Sequence, residues 1–184
     1  MNGSGEMLTG IRLISEAAEF AARCHTGMAR KGRGNEPYVN HLAEVANLLA
    51  EVTDGADAEL VAAGWLHDTI EDDKATREEL VQKFGERVAA LVVEVTDDMN
   101  LSQAERRQKQ VEDAPHKSPD AKLIKIADKL SNIHARLVPR PTEAQRVDPA
   151  AYTIWADKVV AGCRGINSML DAKFDDAVRA ARSS

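Results

Sequence analysis

The stretch from Trp65 to Asp73, with the sequence WLHDTIEDD, carries one histidine and four carboxylates directly after an apolar segment. On a helix, side chains three and four residues apart share a face, so His67 would lie over Glu71 and Asp68 over Asp72. A buried carboxylate is costly without a cation or a hydrogen-bond donor beside it. Taken alone, such a His-Asp pair favours a helix end that runs into a solvated acidic turn. Its chemistry therefore depends on what the rest of the chain supplies.

The other candidate ligands lie on two separate predicted helices. His41 shares an apolar stripe with Val45 and Leu48, and Asp128 stands in a stripe of small and apolar side chains. A histidine on an apolar face is more often a core residue than a ligand, whereas an aspartate buried there needs a partner. With the earlier His-Asp pair, these residues make two imidazoles and two carboxylates. That set suits Mn²⁺, Fe²⁺ or Zn²⁺ with positions left open for water and substrate.

A divalent ion at such a site would lower the pKa of the water that it binds and withdraw charge from a phosphoryl group. Glu71 and Asp72 follow the His67–Asp68 pair by one helical turn, where they could orient and deprotonate that water. The residue types therefore favour metal-assisted chemistry on a phosphoryl group.

Helical periodicity predicts the elements that carry these residues, and no segment shows a strand pattern, so the predicted fold class is all-α. Capping boxes at Thr76–Glu79 and Ser102–Glu105 each predict a helix start, and the helix after Ser102 is expected to be exposed or mobile. Three lysines of the helix that carries Asp128 are expected to point to solvent. The predicted helices are Thr9–Ala29, Pro37–Val52, one capped by Asp57 that includes His67 and Asp68, one ending at Gly85, Glu86–Val95, one from Ser102, one from Ser118–Pro119 to Val138, and a last region from Asp148 that is broken near Gly162 and Gly165.

Composition and charge limit the class of protein. At 184 residues, the chain is predicted to form one domain over residues 1–184, with residues 1–7 disordered. The net charge of −6 argues against a nucleic-acid-binding protein, and no apolar run is long enough to predict a membrane span. Cys24 and Cys163 stand in no paired spacing, which predicts reduced thiols in a cytoplasmic protein. The sequence leaves the oligomeric state open.

Several motifs make the chain resemble the HD superfamily of metal-dependent phosphohydrolases. Within it, the sequence is most similar to the hydrolase half of RelA/SpoT proteins and to the stand-alone small alarmone hydrolases, which include the metazoan SpoT homologue. The resemblance runs from about Ile14 to Leu170. The motifs that carry it are Ala29-Arg30-Lys31, Glu36-Pro37-Tyr38-Val39-Asn40-His41, Leu66-His67-Asp68-Thr69-Ile70-Glu71-Asp72, Phe84-Gly85, Glu94-Val95-Thr96-Asp97-Asp98 and Lys125-Ile126-Ala127-Asp128-Lys129-Leu130-Ser131-Asn132.

The resemblance implies an HD-domain helical bundle with one Mn²⁺, although Fe²⁺ and Zn²⁺ stay open. It also implies removal of the 3′-diphosphate from ppGpp or pppGpp, a small-molecule guanosine nucleotide, to give GDP or GTP and pyrophosphate. The family's Glu-Asp pair that handles the nucleophilic water matches Glu71 and Asp72. Its metal ligands match His41, His67, Asp68 and Asp128. Its substrate-binding residues match Arg30, Lys31, Asn132 and Tyr152.

Two departures from the family pattern leave alternatives open. His134 stands where relatives commonly have arginine, so a substrate-facing cation would be lost or would depend on pH. The loop Arg136 to Asp148 also differs, which weakens the match at Tyr152. One alternative is the same chemistry on another nucleotide, such as removal of the 2′-phosphate of NADPH. Another is a metal-containing module that binds a nucleotide without cleaving it, although a degenerate module would typically lack part of the site.

Overall fold

The computed structural model describes residues 3–30, 35–137 and 149–183, which form helices and no strand, as the all-α prediction requires. An isolated bridge pairs Ala29 with Pro37. None of the described helices combines the length and the hydropathy that crossing a bilayer requires. The helices are α1 (Gly3–Cys24), α2 (Val39–Val52), α3 (Ala58–Leu66), α4 (Arg77–Phe84), α5 (Glu86–Val95), α6 (Gln103–Asp113), a short 3₁₀ turn (Ala114–His116), α7 (Pro119–Leu137), α8 (Pro149–Ala161) and α9 (Ser168–Ser183).

Helix α7 holds the bundle together, because it packs against α2, α5, α8 and α9. Helix α3 packs mainly against α1, α2 and α5, and also contacts α7. The predicted apolar stripe of α7 is buried, and removing such side chains from water is the main stabilising term of a core. The largest fully buried apolar side chains are Leu42, Leu49, Leu60, Leu66, Leu80, Ile124, Ile126, Leu130, Ile133, Leu170 and Phe174.

The predicted caps are confirmed where the structure shows the side chains. Asp57 accepts from the backbone N–H of Leu60 at the start of α3, and Thr76 accepts from that of Glu79 at the start of α4. Ser102 and Glu105 bond each other's backbone N–H groups, which makes a complete capping box at α6. These local bonds fix where the three helices begin.

The first helix differs from its prediction at both ends. It begins at Gly3 rather than near Thr9, and so takes in part of the segment 1–7 that the sequence predicts to be disordered. It ends at Cys24 rather than at Ala29. Gly27, at φ +76°, adopts the left-handed conformation that stops a helix, which the sequence pattern alone does not reveal.

The predicted helix through the WLHDTIEDD stretch is also wrong in its extent, because α3 ends at Leu66 and His67 follows as its C-cap. The Thr69 hydroxyl donates to the carbonyl of Leu66 over 2.6 Å, and the backbone N–H groups of Lys74 and Ala75 both bond the carbonyl of Thr69. Bonds of this kind compete with the helical ladder. Residues 67–73 therefore form turns, and these turns carry the predicted catalytic carboxylates.

Gly162 allows α8 to approach the 3₁₀ turn that follows α6. A Cβ atom at this position would lie 2.8 Å from Cδ of Pro115, 2.9 Å from Cβ of Ala114 and 2.9 Å from the backbone nitrogen of Pro115. The backbone and the proline ring at this contact cannot rotate away from an added methyl group, as the end of a flexible side chain could. The absence of a side chain at Gly162 thus sets how closely α8 lies to the end of α6.

We expect Gly162→Ala to lower the free energy of unfolding by about 1–3 kcal/mol, because the added methyl overpacks this contact. Urea unfolding followed by circular dichroism measures the change. The control is Ala161→Ser, which adds one heavy atom at the exposed neighbouring position and should change stability by less than about 0.5 kcal/mol. Equal midpoints for Gly162→Ala and the unaltered protein would contradict the steric argument.

Candidate metal centre and substrate cleft

Three structural elements bring the predicted metal ligands together. His41 lies in the first turn of α2, His67 and Asp68 lie at the end of α3, and Asp128 lies in the middle of α7. Both histidines are buried. Since α2 packs against both α3 and α7, the three elements meet at one place in the interior.

The ligand atoms of this cluster are close to one another. Nε2 of His41 is 3.5 Å from Oδ2 of Asp68 and 3.5 Å from Oδ1 of Asp128, and Nε2 of His67 is 3.1 Å from Oδ2 of Asp68. Ligand atoms of His41, His67 and Asp128 all lie within 4.8 Å of one another. Two ligands about 2 Å from a shared cation are up to about 4 Å apart, so the spacing is of the right order for one ion.

The chemistry of the two imidazoles also fits a metal ion. Nδ1 of His67 is 2.8 Å from the carbonyl oxygen of Gly64, which can only accept, so in the neutral ring, the form that binds a metal ion, Nδ1 carries the proton and Nε2 carries the lone pair. Nε2 of His67 is buried and has no hydrogen-bond partner among the residues that the structure describes. A buried lone pair without a donor, beside two carboxylates, is what a cation site requires. His41, His67 and Asp128 thus form a cluster that could hold a metal ion.

The pKa shifts of the cluster also show that it favours positive charge. Burial alone would lower the pKa of His67, but Asp68 and Asp128 outweigh it and raise that pKa to about 9. Burial would raise the pKa of Asp68, yet the His67 and His41 side chains hold it well below its usual range. The pKa of Asp128 is lowered too, because Lys129 and the two histidines outweigh its burial.

Neighbouring donors complete the hydrogen bonding of the two aspartates. The Tyr38 hydroxyl donates to Oδ2 of Asp68 over 2.6 Å. Asn132 donates to Oδ1 of Asp128 over 2.5 Å, and Lys129 donates to Oδ2 of the same residue over 2.8 Å. Both carboxylates are therefore fixed in orientation by bonds that leave their remaining lone pairs toward the imidazoles.

A cleft of about 280 Å³ opens beside the cluster and is lined by His41, His67, Asp68 and Asp128 themselves. One wall comes from α6, so the charged segment after Ser102 borders the cleft, and all of its side chains remain at least partly exposed. Tyr152 and Trp155 of α8 form the aromatic part of the lining. The cationic side chains that line it are Arg106, Arg107, Lys125, Lys129 and Arg136. A cavity with this lining is complementary to a phosphorylated ligand.

The expectation that the α7 lysines point to solvent is wrong for two of them. Lys125 is 5% exposed, donates to the carbonyl oxygen of Val95 over 2.6 Å, and lies 3.7 Å from the carboxylate of Asp97. Burial and the neighbouring Lys129 lower the pKa of Lys125. Lys129 is also buried, with its ammonium 4.7 Å from the centre of the Trp155 ring. Lys125 directly follows Ile124, and Lys129 directly follows Asp128, and both of these preceding residues line the cleft. This adjacency to cleft residues is the signal that sequence reasoning missed.

The predicted catalytic pair is divided between two environments. Glu71 lines the cleft and accepts from the backbone N–H of Asp97 over 3.1 Å. Burial raises its pKa, and the negative charges of Asp68 and Asp97 add to that effect. Asp72 is not part of the lining, and its carboxylate instead lies 3.4 Å from Nε2 of His25, a buried histidine.

The predicted substrate-binding residues are also divided. Asn132 and Tyr152 line the cleft. Arg30 does not, because its side chain is only 4% exposed and its guanidinium donates to Ser131 over 2.6 Å. Lys31 lies outside the described residues.

His134 does not take the place of an arginine in the cleft. It is exposed and bonds Glu44 over 2.8 Å, on the opposite side of α7 from Asn132. Arg136 lines the cleft instead, with its guanidinium 3.6 Å from the centre of the Tyr152 ring. The cation that the sequence suggests is lost is thus supplied two positions later on the same helix.

Comparisons with known proteins agree with this architecture. The chain matches the HD domain family over residues 17–166. It is 44% identical over 171 residues to guanosine-3′,5′-bis(diphosphate) 3′-pyrophosphohydrolase MESH1 of Xenopus tropicalis, with 92% of this chain and 94% of that protein covered. The Homo sapiens protein of the same name is 44% identical over 160 residues, covering 86% and 88%. A solved structure of a metazoan ortholog of SpoT, described as hydrolysing ppGpp, matches with a TM-score of 0.81 at 38% identity, covering 91% of this chain and 94% of that one.

We expect His67→Ala and Asp128→Asn each to weaken Mn²⁺ binding by more than about 100-fold, because loss of a ligand should cost at least as much as loss of a residue that supports one. The electron paramagnetic resonance signal of free Mn²⁺ during titration measures the dissociation constant. His116→Ala changes an exposed histidine and should leave binding unaltered. Tight binding by both cluster variants would exclude this cluster as the metal centre.

Proposed function

We propose a function for this chain from the premise that it belongs to the HD domain family and is a relative of the MESH1 proteins. The chain hydrolyses ppGpp or pppGpp at the 3′-diphosphate, giving GDP or GTP and pyrophosphate. The observation that carries this proposal is the buried cluster of two imidazoles and two carboxylates that opens directly into a cleft with cationic walls. The cluster supports chemistry on a phosphoryl group, and the cationic cleft supports binding of a highly phosphorylated nucleotide.

The proposed metal ligands are His41, His67, Asp68 and Asp128, and the proposed ion is a single Mn²⁺. When bound, such an ion makes water a stronger acid and draws charge away from the phosphoryl group under attack. Asp68 belongs to the set because its Oδ2 lies between the two Nε2 atoms, at 3.1 and 3.5 Å. Its bond from Tyr38 holds that oxygen in place.

The proposed role of Glu71 is to accept the proton of the attacking water. Its carboxylate lies in the cleft wall, and burial together with the charges of Asp68 and Asp97 raises its pKa, which makes it a stronger proton acceptor than a free carboxylate. Asp72 acts with it from the turn that the two residues share. Since Asp72 lies beside His25, the proposed contribution of Asp72 is to hold this turn in register with the cleft.

The proposed substrate site uses the cations of the cleft. A guanosine bis(diphosphate) carries several negative charges, and Lys125 and Lys129 line the cleft, where Lys129 also bonds Asp128 of the metal cluster. Arg106 of α6 and Arg136 of α7 add positive charge to the cleft walls. Tyr152 offers a ring surface beside them, since planar rings stack on bases and sugars.

The family resemblance also assigns nucleotide contacts to Arg30 and Lys31, and both remain predictions. Arg30 would have to leave Ser131 to reach a ligand in the cleft. The proposed partner is a small-molecule guanosine nucleotide, and the proposed location is the cytoplasm. Cys24 and Cys163 are both free thiols, which agrees with a reducing compartment.

The first experiment offers ppGpp and NADPH separately to metal-free protein with and without added Mn²⁺, and measures pyrophosphate and orthophosphate. We expect pyrophosphate from ppGpp only when Mn²⁺ is present. Release of orthophosphate from NADPH, without release of pyrophosphate from ppGpp, would support the proposed catalytic centre but exclude the proposed substrate. Mn²⁺ binding without turnover of either nucleotide would favour a binding module.

We expect Glu71→Gln to lower kcat by about 10²–10⁴-fold, because its amide cannot take up the proton of the attacking water. We expect Asp72→Asn to lower kcat as well, because its neutral side chain pairs less strongly with His25 and no longer holds the turn in place, and we expect Mn²⁺ binding to stay intact in both variants. Steady-state kinetics with ppGpp and a Mn²⁺ titration separate the two effects. Asp73→Asn is the matched control, since Asp73 is exposed and directly follows the pair. Unimpaired turnover in Asp72→Asn would remove Asp72 from the mechanism.

A further inference from the structure

Behind the metal cluster, His41 faces a buried serine on α7. Nδ1 of His41 is 2.9 Å from Oγ of Ser131, whose side chain is fully buried. The same Oγ is 2.6 Å from Oε2 of Glu44, on α2, and 2.6 Å from Nη2 of Arg30. Three polar groups therefore converge on one hydroxyl group on the side of the imidazole that faces away from the cleft.

The donor and acceptor inventory allows a single arrangement of protons around Ser131. A serine hydroxyl has one hydrogen to donate and two lone pairs to accept with. Glu44 is a carboxylate that only accepts, since Ser131, His134 and Arg30 outweigh its burial and lower its pKa to about 2. The hydroxyl hydrogen therefore goes to Glu44, and both lone pairs of Oγ are left to accept.

The guanidinium of Arg30 fills one of these lone pairs, because it can only donate. The second hydrogen of Nη2 goes to the carbonyl oxygen of Ser131, also 2.6 Å away, rather than to Nδ1 of His41, which lies farther from Nη2 at 3.5 Å. The remaining lone pair of Oγ faces Nδ1 of His41, which must then be the donor. A proton on Nδ1 leaves the lone pair of the neutral ring on Nε2, the atom 3.5 Å from both Asp68 and Asp128.

We propose that Ser131 and Glu44 form a relay that holds the proton on Nδ1 of His41 and thereby directs the lone pair of Nε2 to the metal centre. Both are positioning residues, because neither faces the cleft. The inference rests on the proposed metal ligation by His41, and deepens it by assigning the residues that orient this ligand. Such partners of a metal-binding histidine fix its ring and increase its basicity.

Two hydrogen-bond donors hold the carboxylate of the relay in place. Nη1 of Arg30 is 3.3 Å from Oε2 of Glu44, and Nδ1 of His134 is 2.8 Å from Oε1. His134 is 45% exposed at its side chain, so it forms the solvent end of the chain of bonds. The relay thus gives Arg30 and His134 a role at the metal centre that does not require either to touch a nucleotide.

The two histidines of the cluster differ in this respect. His67 donates through Nδ1 to the carbonyl oxygen of Gly64, a neutral acceptor supplied by the backbone. His41 donates to a hydroxyl that is itself bonded to a carboxylate. Side-chain substitution can therefore remove the support of His41 while leaving that of His67 unaltered, which makes the relay testable.

The test compares Ser131→Ala, Glu44→Gln and the double variant by Mn²⁺ titration. We expect each single variant to raise the dissociation constant by about 10- to 100-fold. Because Glu44 acts through Ser131, we expect the double variant to bind within about threefold of the weaker single variant, whereas independent effects would multiply. Glu51→Gln is the control on the same helix, where Glu51 pairs with Lys173 on the surface. Single variants that bind like Glu51→Gln, or effects that multiply, would overturn the relay.

A second readout does not depend on the metal. In metal-free protein with ¹⁵N-labelled histidine, nuclear magnetic resonance reports which ring nitrogen of neutral His41 carries the proton. We expect the Nδ1–H form in the unaltered protein and in Glu51→Gln, and a shift toward Nε2–H in Ser131→Ala. An Nε2–H form in the unaltered protein would refute the relay even if Mn²⁺ binds. An Nδ1–H form without any Mn²⁺ binding would instead support the relay and remove the proposed metal function.

Discussion

The burial of two aspartates side by side is the constraint on which the rest of the structure depends. The side chains of Asp68 and Asp128 are 16% and 14% exposed, so each has lost most of its water. Like charges this close destabilise each other unless positive charge and donors surround them. Lys129, Tyr38 and the two imidazoles supply that surrounding from three parts of the chain. The apolar core holds α2, α3 and α7 together and thereby brings these groups to one point.

Opposite charges also lie next to each other where the cluster meets the cleft. The cluster attracts cations, whereas the adjoining walls carry arginines and lysines that attract anions. Lys129 lies at the boundary, since it bonds Asp128 and also lies over the ring of Trp155. A ligand that carries its negative charge at one end of a planar group therefore meets opposite charge and an aromatic surface in the same place. This division supports the proposed phosphorylated nucleotide better than a neutral or cationic ligand.

Features set by neighbouring residues could be predicted from the sequence, and features set by distant ones could not. The caps at Thr76 and Ser102 follow from spacings of three residues, and the helical class follows from periodicity. The burial of Lys125 depends on a carbonyl of α5, and that of Arg30 depends on Ser131, 101 residues further along the chain. No local pattern specifies such partners. The residue types and the family resemblance together identified the cluster, but neither revealed which face of α7 its lysines would take.

Helix α6 stands apart from the other walls because none of its residues is buried. Val111 packs against the core, and polar contacts hold the rest of the helix, among them the bond from the Trp155 indole nitrogen to the backbone carbonyl of Arg107 and the bond from Gln110 to Asp97. The candidate metal cluster, in contrast, lies on elements that also form the apolar core. The cleft therefore combines one wall that adds no fully buried residue to the core with walls from α7 and α8 that belong to the core. Selection or design can exchange the side chains of this one helix to alter what the cleft admits, at little cost to the stability of the scaffold that holds the reactive groups.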